Sequence, residues 1–333
     1  MIELSVIVPT RNRADYLKDA LESILNQTLN KDIYEIIVID NGSTDNTREV
    51  VEQLNQLHQK RIRYFYEPTP GLHVGRHLGA KESRSDILVY TDDDIIAFPE
   101  WLQAIQSAFS DPKVALVGGK ILPRWEGEVP DWVALFKDTD QYGWSNGYLS
   151  ILDFGDKRQE IPAFYVYGCN FSIRKSVMYE CGGFHPDSMP QELIRFRGDG
   201  ETGLATAIME KGYKTIYEPK AAVYHRVPPE RLTLEYFCRR AFNQGVSDSY
   251  TQIRKYKGLD IPQPKIHLNL SLLKGLKDWA KQVAFNRKQA RKEKTNLILA
   301  KVQQSYKDGR RYHREQVASA PELLAFVLKE NYY

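Results

Sequence analysis

Residues 87–96 read Ile87-Leu88-Val89-Tyr90-Thr91-Asp92-Asp93-Asp94-Ile95-Ile96. The apolar run predicts a buried strand, so the three carboxylates follow at the carboxyl end of that strand. In open α/β sheets, ligands bind in the crevice beyond these strand ends. Most aspartate runs are solvated turns, but three adjacent carboxylates in a cleft repel one another, and a bound cation would relieve that repulsion. Oxygen ligands suit Mg²⁺ or Mn²⁺, so the stretch predicts a divalent-cation site.

The segments around this stretch alternate between apolar runs and amphipathic periods. We predict strands at 4–8, 36–39, 61–66, 87–91, 114–118, 214–217 and 221–224, and helices at 16–25, 47–57, 74–82, 99–109 and 201–211. Alternation at this spacing predicts a doubly wound, mostly parallel α/β sheet. The run Ile36-Ile37-Val38-Ile39 is apolar throughout, as expected for a strand covered by helices on both faces of a parallel sheet.

The distribution of charge divides the chain. The 333 residues carry a net charge of +3, but residues 226–333 hold 22 Lys and Arg against 10 Asp and Glu, which leaves residues 1–225 at −9. Such a change marks a functional boundary. We therefore predict a catalytic domain over 1–226 and a basic helical region over 227–333.

Cysteine content and hydropathy predict a cytoplasmic protein. Cys169, Cys181 and Cys238 are odd in number and lack metal-ligand spacing, so we expect reduced, mostly buried thiols. No stretch approaches the roughly 20 apolar residues that span a bilayer. The first residues, Met1-Ile2-Glu3-Leu4, begin directly with a strand pattern and do not resemble a signal peptide.

Several motifs, taken together and in order, resemble those of the family-2 glycosyltransferases, inverting enzymes with the GT-A fold. The motifs are Ser5-Val6-Ile7-Val8-Pro9-Thr10-Arg11-Asn12-Arg13, Val38-Ile39-Asp40-Asn41-Gly42-Ser43-Thr44-Asp45, Tyr90-Thr91-Asp92-Asp93-Asp94, Gly168-Cys169-Asn170-Phe171, Gly182-Gly183-Phe184, Gly198-Asp199-Gly200-Glu201 and Ala222-Val223-Tyr224-His225. The resemblance covers roughly residues 3–226. It implies a nucleotide-sugar-binding half at 1–118 and an acceptor-side half at 119–226.

The resemblance also implies a donor site. Its residues would be Pro9, Thr10 and Arg13 after the first strand, Asp40 on the uracil of a UDP-sugar, Arg76 on the diphosphate and Asp92 on the ribose. From the residues alone, Asp40 could equally be a turn residue that caps a helix, and Arg76 could be a surface charge. His77 stands where the family often has Asn.

The implied metal ligand is Asp93, with Asp92 and Asp94 kept as alternatives because the family register could shift by one residue. His225 matches a histidine that in some members completes the metal-diphosphate site, although a lone histidine at a strand end is often structural. Thr91 occupies a position where the family often has Asp.

Inverting transfer needs a base for the acceptor hydroxyl and positive charge for the departing diphosphate. The resemblance implies that Glu201 is the base, with Asp199 as the alternative, because Gly200 stands where the family usually has an acid. Both carboxylates could instead serve only as N-terminal helix charges that interact with the helix dipole.

We therefore expect a metal-dependent glycosyltransferase (EC 2.4) that moves a sugar, most simply from a UDP-sugar, to a hydroxyl of a glycan, glycolipid or protein-linked acceptor, as in polysaccharide biosynthesis. Two alternatives stay open. A non-catalytic carbohydrate- or membrane-binding module would share the fold. A sugar-nucleotide pyrophosphorylase normally has a Gly-rich loop after the first strand, and residues 9–13 contain no glycine; a dehydrogenase would need G-x-G-x-x-G, which is missing.

Two further segments carry open interpretations. The aromatic-rich segment 120–165, with Trp125, Trp132 and Trp144, either faces a ligand or packs into the core. Residues 272–283 have an apolar face opposite lysines, which either packs on the catalytic domain or attaches the protein to an anionic membrane surface at the inner face. We expect no nucleic-acid partner, because no recognition motif accompanies the charge, and leave a homo-oligomer open.

Overall fold

The computed structural model describes residues 2–260 and 281–333, with side chains at 2–260 and 295–333. Two compact units divide the chain: Met1–Leu232 with Lys329–Tyr333, and Thr233–Leu328. Our functional boundary after residue 226 stays a prediction. The amphipathic pattern at 272–283 lies almost entirely outside the described residues.

The first unit contains all the described strands. In chain order its regular elements are β1 Leu4–Thr10, α1 Ala14–Leu25, β2 Tyr34–Asp40, α2 Thr47–Leu57, β3 Ile62–Tyr66, α3 Leu72–Glu82, β4 Ile87–Tyr90, β5 Ile95–Ala97, α4 Trp101–Ala108, β6 Val114–Trp125, β7 Asp138–Thr139, β8 Trp144–Asn146, β9 Ile151–Asp153, β10 Gln159–Glu160, β11 Phe171–Arg174, α5 Lys175–Glu180, α6 Glu201–Glu210 and β12 Lys214–Val227.

These strands form one mixed sheet in the order β3-β2-β1-β4-β11-β6-β9-β8-β7, with β5, β10 and β12 joined to it. The first four are parallel, as the alternating pattern predicted. Beyond β4 the sheet becomes mixed, because β11 lies antiparallel between β4 and β6. The two predicted strands at 214–217 and 221–224 are one strand, β12, with a register irregularity between Glu218 and Val223.

Helices cover both faces of the sheet, and the strand residues alternate between two apolar layers. Val6 and Val8 of β1 belong to the layer that contains Leu21 of α1 and Trp101 of α4. Ile7 points the other way, into the layer with Phe184. Since side chains alternate across a strand, the unbroken apolar run of β1 serves both layers at once.

Strand ends position the functional residues. β1 ends at Thr10 and β2 ends at Asp40, and these two residues are paired in the parallel register. β4 ends two residues before Asp92. The short β5 pairs antiparallel with β12 in a register that sets His225 opposite Ile95, next in sequence to Asp94. Residues more than 200 positions apart in sequence therefore meet at one edge of the sheet.

The second unit is helical, with α7 Leu234–Tyr256, α8 Lys281–Ser319 and α9 Pro321–Val327. α7 and α8 approach closely: a Cβ at Gly245 would lie 2.0 Å from the carbonyl oxygen of Tyr306, and one at Gly309 would lie 2.0 Å from that of Phe242. The Tyr306 hydroxyl donates to Asp248 across the pair, at 2.6 Å. No helix among the described residues combines the length and apolar character needed to cross a membrane.

All three cysteines are free thiols, as expected. Cys169 and Cys181 are buried, while Cys238 is half-buried. Burial raises the pKa of Cys181 to about 11, so its thiol stays protonated at neutral pH.

Candidate active site

The three aspartates after β4 differ in exposure. The Asp92 side chain is 34% exposed, whereas Asp93 and Asp94 are buried. Thr91 is fully buried, and its hydroxyl donates to the carbonyl of Cys169 at 2.8 Å. Thr91 therefore anchors the start of the loop to the backbone at Cys169, while the aspartates after it supply the charge.

Asp93 is held by Thr10, the last residue of β1, and by Arg13, which follows that strand. The Thr10 hydroxyl donates to Asp93 Oδ2 at 2.7 Å, and an Arg13 nitrogen lies 3.2 Å from Asp93 Oδ1. Burial together with the neighbouring carboxylates outweighs these contacts and raises the pKa of Asp93 to about 7. The charged form of Asp93 is therefore disfavoured in this buried position, and a further positive group beside it would favour that form.

Asp94 lies deepest and has the most cationic partners. One Asp94 oxygen, Oδ2, accepts from Arg13 at 2.7 Å and from Arg231 at 2.6 Å. Burial opposes ionisation, but the ion pairs with Arg13 and Arg231 favour the charged form of Asp94. The other oxygen, Oδ1, is buried and has no hydrogen-bond partner among the described residues.

His225 faces this second oxygen. Its Nδ1 lies 2.9 Å from the carbonyl oxygen of Leu149, and its Nε2 lies 2.9 Å from an Arg231 nitrogen. A carbonyl only accepts and a guanidinium only donates, so Nδ1 carries the proton and Nε2 presents a lone pair. Nε2 and Asp94 Oδ1 lie 3.3 Å apart, which sets two acceptors face to face.

Arg76 is buried rather than being a surface charge; it is only 2% exposed. Its guanidinium lies 3.6 Å from Asp92, 3.5 Å from Glu201 and 4.8 Å from the centre of the Phe184 ring. A Cβ at Gly168 would lie 2.2 Å from an Arg76 nitrogen, so this position has no room for a side chain. Arg76 Nε has no hydrogen-bond partner among the described residues, and the group keeps capacity for an anion.

Glu201 and Asp199 occupy different environments. Glu201 opens α6, its side chain is 28% exposed, and the amide of Gly168 donates to its Oε1 at 3.3 Å. Asp199 is buried, and its Oδ1 lies 2.6 Å from Nδ1 of His185. Glu201 therefore lies beside Arg76 with an accessible carboxylate, whereas Asp199 is engaged with an imidazole.

Asp40 lies at the end of β2 with both oxygens in use. The amide of Ser43 donates to Oδ1 at 2.7 Å, and the hydroxyl of Tyr64 donates to Oδ2 at 2.6 Å. The turn interpretation is therefore observed, although the residue at the N-cap of α2 is Asn46. Each carboxylate oxygen has a second lone pair, so Asp40 could still accept from a ligand.

Most of the residues selected from the sequence meet at one edge of the sheet. Thr10, Arg13, Asp93, Asp94 and His225 form one connected group, and Arg76, Asp92 and Glu201 form a second. Pro9 pairs with Ile39 one residue before them.

Sequence reasoning missed Arg231, which lies in the short helical turn Pro229–Leu232 after β12. Its six-residue distance from His225 was the available signal, since a residue shortly after a strand-end histidine can fold back over the same site.

The aromatic-rich segment 120–165 was expected either to face a ligand or to pack into the core, and the structure shows side chains in both surface and core positions. Trp125 is 41% exposed, and Trp132 and Trp144 are half-buried. The rings of Phe136 and Tyr148 lie 5.0 Å apart, and Lys137 lies 4.4 Å from the centre of the Trp144 ring. The three tryptophans belong to neither apolar layer, whereas Phe154 of the same segment belongs to the layer that contains Phe184, and Tyr142 packs against that layer.

Residues 5–182 match the family model described as Glycosyl transferase family 2. The chain belongs to glycosyltransferase family 2. It is therefore a glycosyltransferase that takes its sugar from a nucleotide-sugar, which confirms the resemblance read from the motifs.

Two relatives illustrate the range of the family. The chain is 24% identical over 250 residues to the glucosyl-dolichyl phosphate glucuronosyltransferase of Haloferax volcanii, covering 74% of this chain and 76% of the relative. It is 28% identical over 204 residues to the validoxylamine A glucosyltransferase of Streptomyces hygroscopicus subsp. jinggangensis, covering 55% of this chain and 47% of that protein. The second match spans less than half of the relative's length.

Two solved structures share the fold. The mannosyltransferase PcManGT from Pyrobaculum calidifontis, in complex with GDP-Man and Mn²⁺, has a TM-score of 0.56 and 18% identity, covering 98% of this chain and 85% of that one. GalNAc-T7 with UDP, GalNAc and Mn²⁺ has a TM-score of 0.52 and 17% identity, covering 75% and 50%. The family-2 glycosyltransferase described here thus has an α/β GT-A-like fold with a mixed sheet and C-terminal helices.

Proposed function

We propose that this chain is a metal-dependent, inverting glycosyltransferase that moves a sugar from a UDP-sugar to an acceptor hydroxyl, using the cleft formed by the 1–226 catalytic domain. One observation carries the proposal: the buried guanidinium of Arg76 lies within 3.6 Å of both Asp92 and the partly exposed Glu201. A cation suited to a departing diphosphate and a carboxylate suited to an acceptor proton therefore share one cleft. In-line displacement needs these two groups together.

The residues around Asp94 fit a divalent cation. Asp94 Oδ1 is buried without a hydrogen-bond partner and faces the lone pair of His225 Nε2. The Nδ1 contact with Leu149 fixes that tautomer, as commonly found for metal-ligating histidines. We propose Asp93, Asp94 and His225 as the residues that would hold Mn²⁺ or Mg²⁺. The bound ion would supply positive charge beside the leaving diphosphate.

Within the described residues, no three His, Cys, Asp or Glu side chains already converge as a ready metal site. Arg13 and Arg231 instead lie against Asp94. Both arginines bind carboxylates here with the geometry that they could use for phosphate. We propose that they turn from the aspartates to the donor when a cation takes over the charge of Asp94.

We assign the base to Glu201 rather than Asp199. Glu201 is partly exposed, and its 3.3 Å hydrogen bond from the Gly168 amide orients the carboxylate without occupying both oxygens. Asp199 is buried against His185, so acceptor hydroxyls cannot reach it without moving that imidazole. Asp199 then has a structural task, which is to fix the loop that precedes Glu201.

The donor and acceptor assignments draw on Asp40 and on the proteins that this chain resembles. The family resemblance implies that Asp40, which accepts a hydrogen bond from Tyr64, binds the uracil of a UDP-sugar, although one structural neighbour was solved with GDP-Man. A relative is named for action on a glucosyl-dolichyl phosphate. We therefore propose a lipid-linked or glycan acceptor and retain, as a proposal, attachment of the basic region 227–333 to the inner face of a membrane.

A test of the function is release of nucleoside diphosphate from a panel of UDP-glucose, UDP-galactose, UDP-N-acetylglucosamine, UDP-glucuronic acid and GDP-mannose. We expect Mn²⁺-dependent release from at least one UDP-sugar, abolished by EDTA. Release from GDP-mannose alone would show that the donor nucleotide is GDP rather than UDP and would leave the reaction class unchanged. No release, together with metal-independent binding of a sugar, would favour the non-catalytic module.

A further inference from the structure

Residues Lys329–Tyr333 belong to the unit that holds the cleft. Tyr332 and Tyr333 lie against the buried histidines His73 and His77 of α3 and His185 of the loop before α6. The Tyr332 ring lies 6.1 Å from that of His73 and 5.7 Å from that of His185, and the Tyr333 ring lies 5.6 Å from that of His77. The two tyrosines thus contact both segments that carry the reacting groups.

His77 connects these tyrosines to the protein interior. The amide of Phe184 donates to its Nε2 at 2.9 Å, so Nδ1 holds the proton and donates to the carbonyl of Tyr332 at 3.3 Å. Burial lowers the pKa of His77 to about 3, which keeps the ring neutral. With both nitrogens occupied, His77 is a bridge between Tyr332 and Phe184 rather than a metal ligand.

Phe184 contacts both His77 and Arg76. Its ring lies 4.8 Å from the Arg76 guanidinium carbon, and the Tyr90 ring packs edge-on against it at 4.9 Å. Gly183 has a φ of +73°, and a Cβ there would lie 2.7 Å from His77 Nε2 and 2.9 Å from the Tyr333 ring. The turn therefore has no room for a side chain, and it connects the tyrosines to the Phe184 ring that packs against Arg76.

A second set of contacts connects Tyr332 with α6. His185, beside the Tyr332 ring, lies 2.6 Å from Asp199 through its Nδ1. A Cβ at Gly203 would lie 2.2 Å from His185 Nδ1 and 2.8 Å from Asp199 Oδ1, so this imidazole also packs directly on α6. Glu201 begins that helix.

We propose that Tyr332 and Tyr333 are positioning residues for glycosyl transfer. They brace α3 against the loop 183–200, and this contact sets the separation between the Arg76 guanidinium and the Glu201 carboxylate. The inference rests on the proposed function of that pair. Neither tyrosine contacts the metal-binding carboxylates, so their effect is on turnover and not on Mn²⁺-dependent UDP binding.

The alternative is that the tyrosines only cover a histidine cluster and stabilise the fold. A double-mutant cycle separates the two, because residues that act through a shared partner give non-additive effects. The cycle combines Tyr332→Ala/Tyr333→Ala with Arg76→Lys. A purely stabilising role would lower the melting temperature in both backgrounds and change kcat of the folded protein in neither.

We expect the tyrosine pair variant to lower kcat by about tenfold in the wild-type background and by less than about twofold in Arg76→Lys, with the donor KM changed by less than about threefold. Tyr333→Phe keeps the ring against His77 and should retain most of the turnover. Tyr256→Ala, at a tyrosine on α7 that is 44% exposed, is the matched control. If the pair variant does not fold, Tyr332→Leu gives the same comparison.

Equal losses of kcat in both backgrounds would overturn the proposal, as would an unchanged kcat in the folded pair variant. A wild-type protein without any donor turnover would instead reject the proposed function itself, so the two failures are distinguishable.

Discussion

Replacing Glu201 by Gln should lower turnover by about 10²-fold or more while leaving Mn²⁺-dependent UDP binding within about twofold. Gln preserves the shape of the side chain and its contact with the Gly168 amide, but it cannot accept the proton of the acceptor hydroxyl. Steady-state rates give the loss of turnover, and calorimetry with UDP and Mn²⁺ gives the retained binding. The loss in kcat without a loss in donor affinity is the result that identifies a base.

Asp199→Asn is the matched comparison, because it removes a carboxylate two residues away that is buried against His185. We expect a smaller fall in turnover, accompanied by a lower melting temperature from the weakened pair with the imidazole. Near-normal turnover in Glu201→Gln together with a collapse in Asp199→Asn would transfer the role of base to Asp199.

Mn²⁺ should increase the affinity for UDP, and Asp94→Asn should reduce that increase by about tenfold to 100-fold or more. Loss of a residue that orients a metal ligand costs this much, and loss of the ligand itself should cost no less. The substitution removes the charge that faces His225 Nε2 and keeps nearly the same volume. Asp93→Asn should act in the same direction. Titration of UDP with and without Mn²⁺ into each variant measures the effect directly and needs no catalysis.

The control for this experiment is Asp156→Asn, which removes an aspartate whose side chain is 92% exposed and pairs with Lys120. It should leave the Mn²⁺ effect unchanged. An unaltered Mn²⁺ effect in both Asp93→Asn and Asp94→Asn would remove these aspartates from the metal site and leave their burial with Arg13 and Arg231 as a purely structural arrangement.

The sequence predicted the first half of the sheet well, because each strand and helix there has a self-contained periodic pattern. The positions of β1, β2 and β4 follow from apolar runs, and the carboxylates after β4 are visible as a local motif. β5 and β11 were not predicted, because three and four residues carry too little periodicity. The mixed part of the sheet depends on pairings between distant segments.

The sequence predicted only part of the candidate site, for a related reason. Local pattern located Asp92 and Glu201, but it could not show that Arg76 is buried beside both of them, since helix spacing does not reveal what packs over a helix. Arg231 reaches Asp94 from 137 residues away. The contacts of Tyr332 likewise join segments that share no local signal.

A single in-line displacement on a nucleotide-sugar inverts the configuration at the anomeric carbon. Proton NMR of the first sugar product released from an α-linked UDP-sugar, in the presence of Mn²⁺, tests it most directly. We expect the β-anomer to form first and EDTA to abolish its formation. Initial release of the α-anomer, or no release from any UDP-sugar, would contradict it.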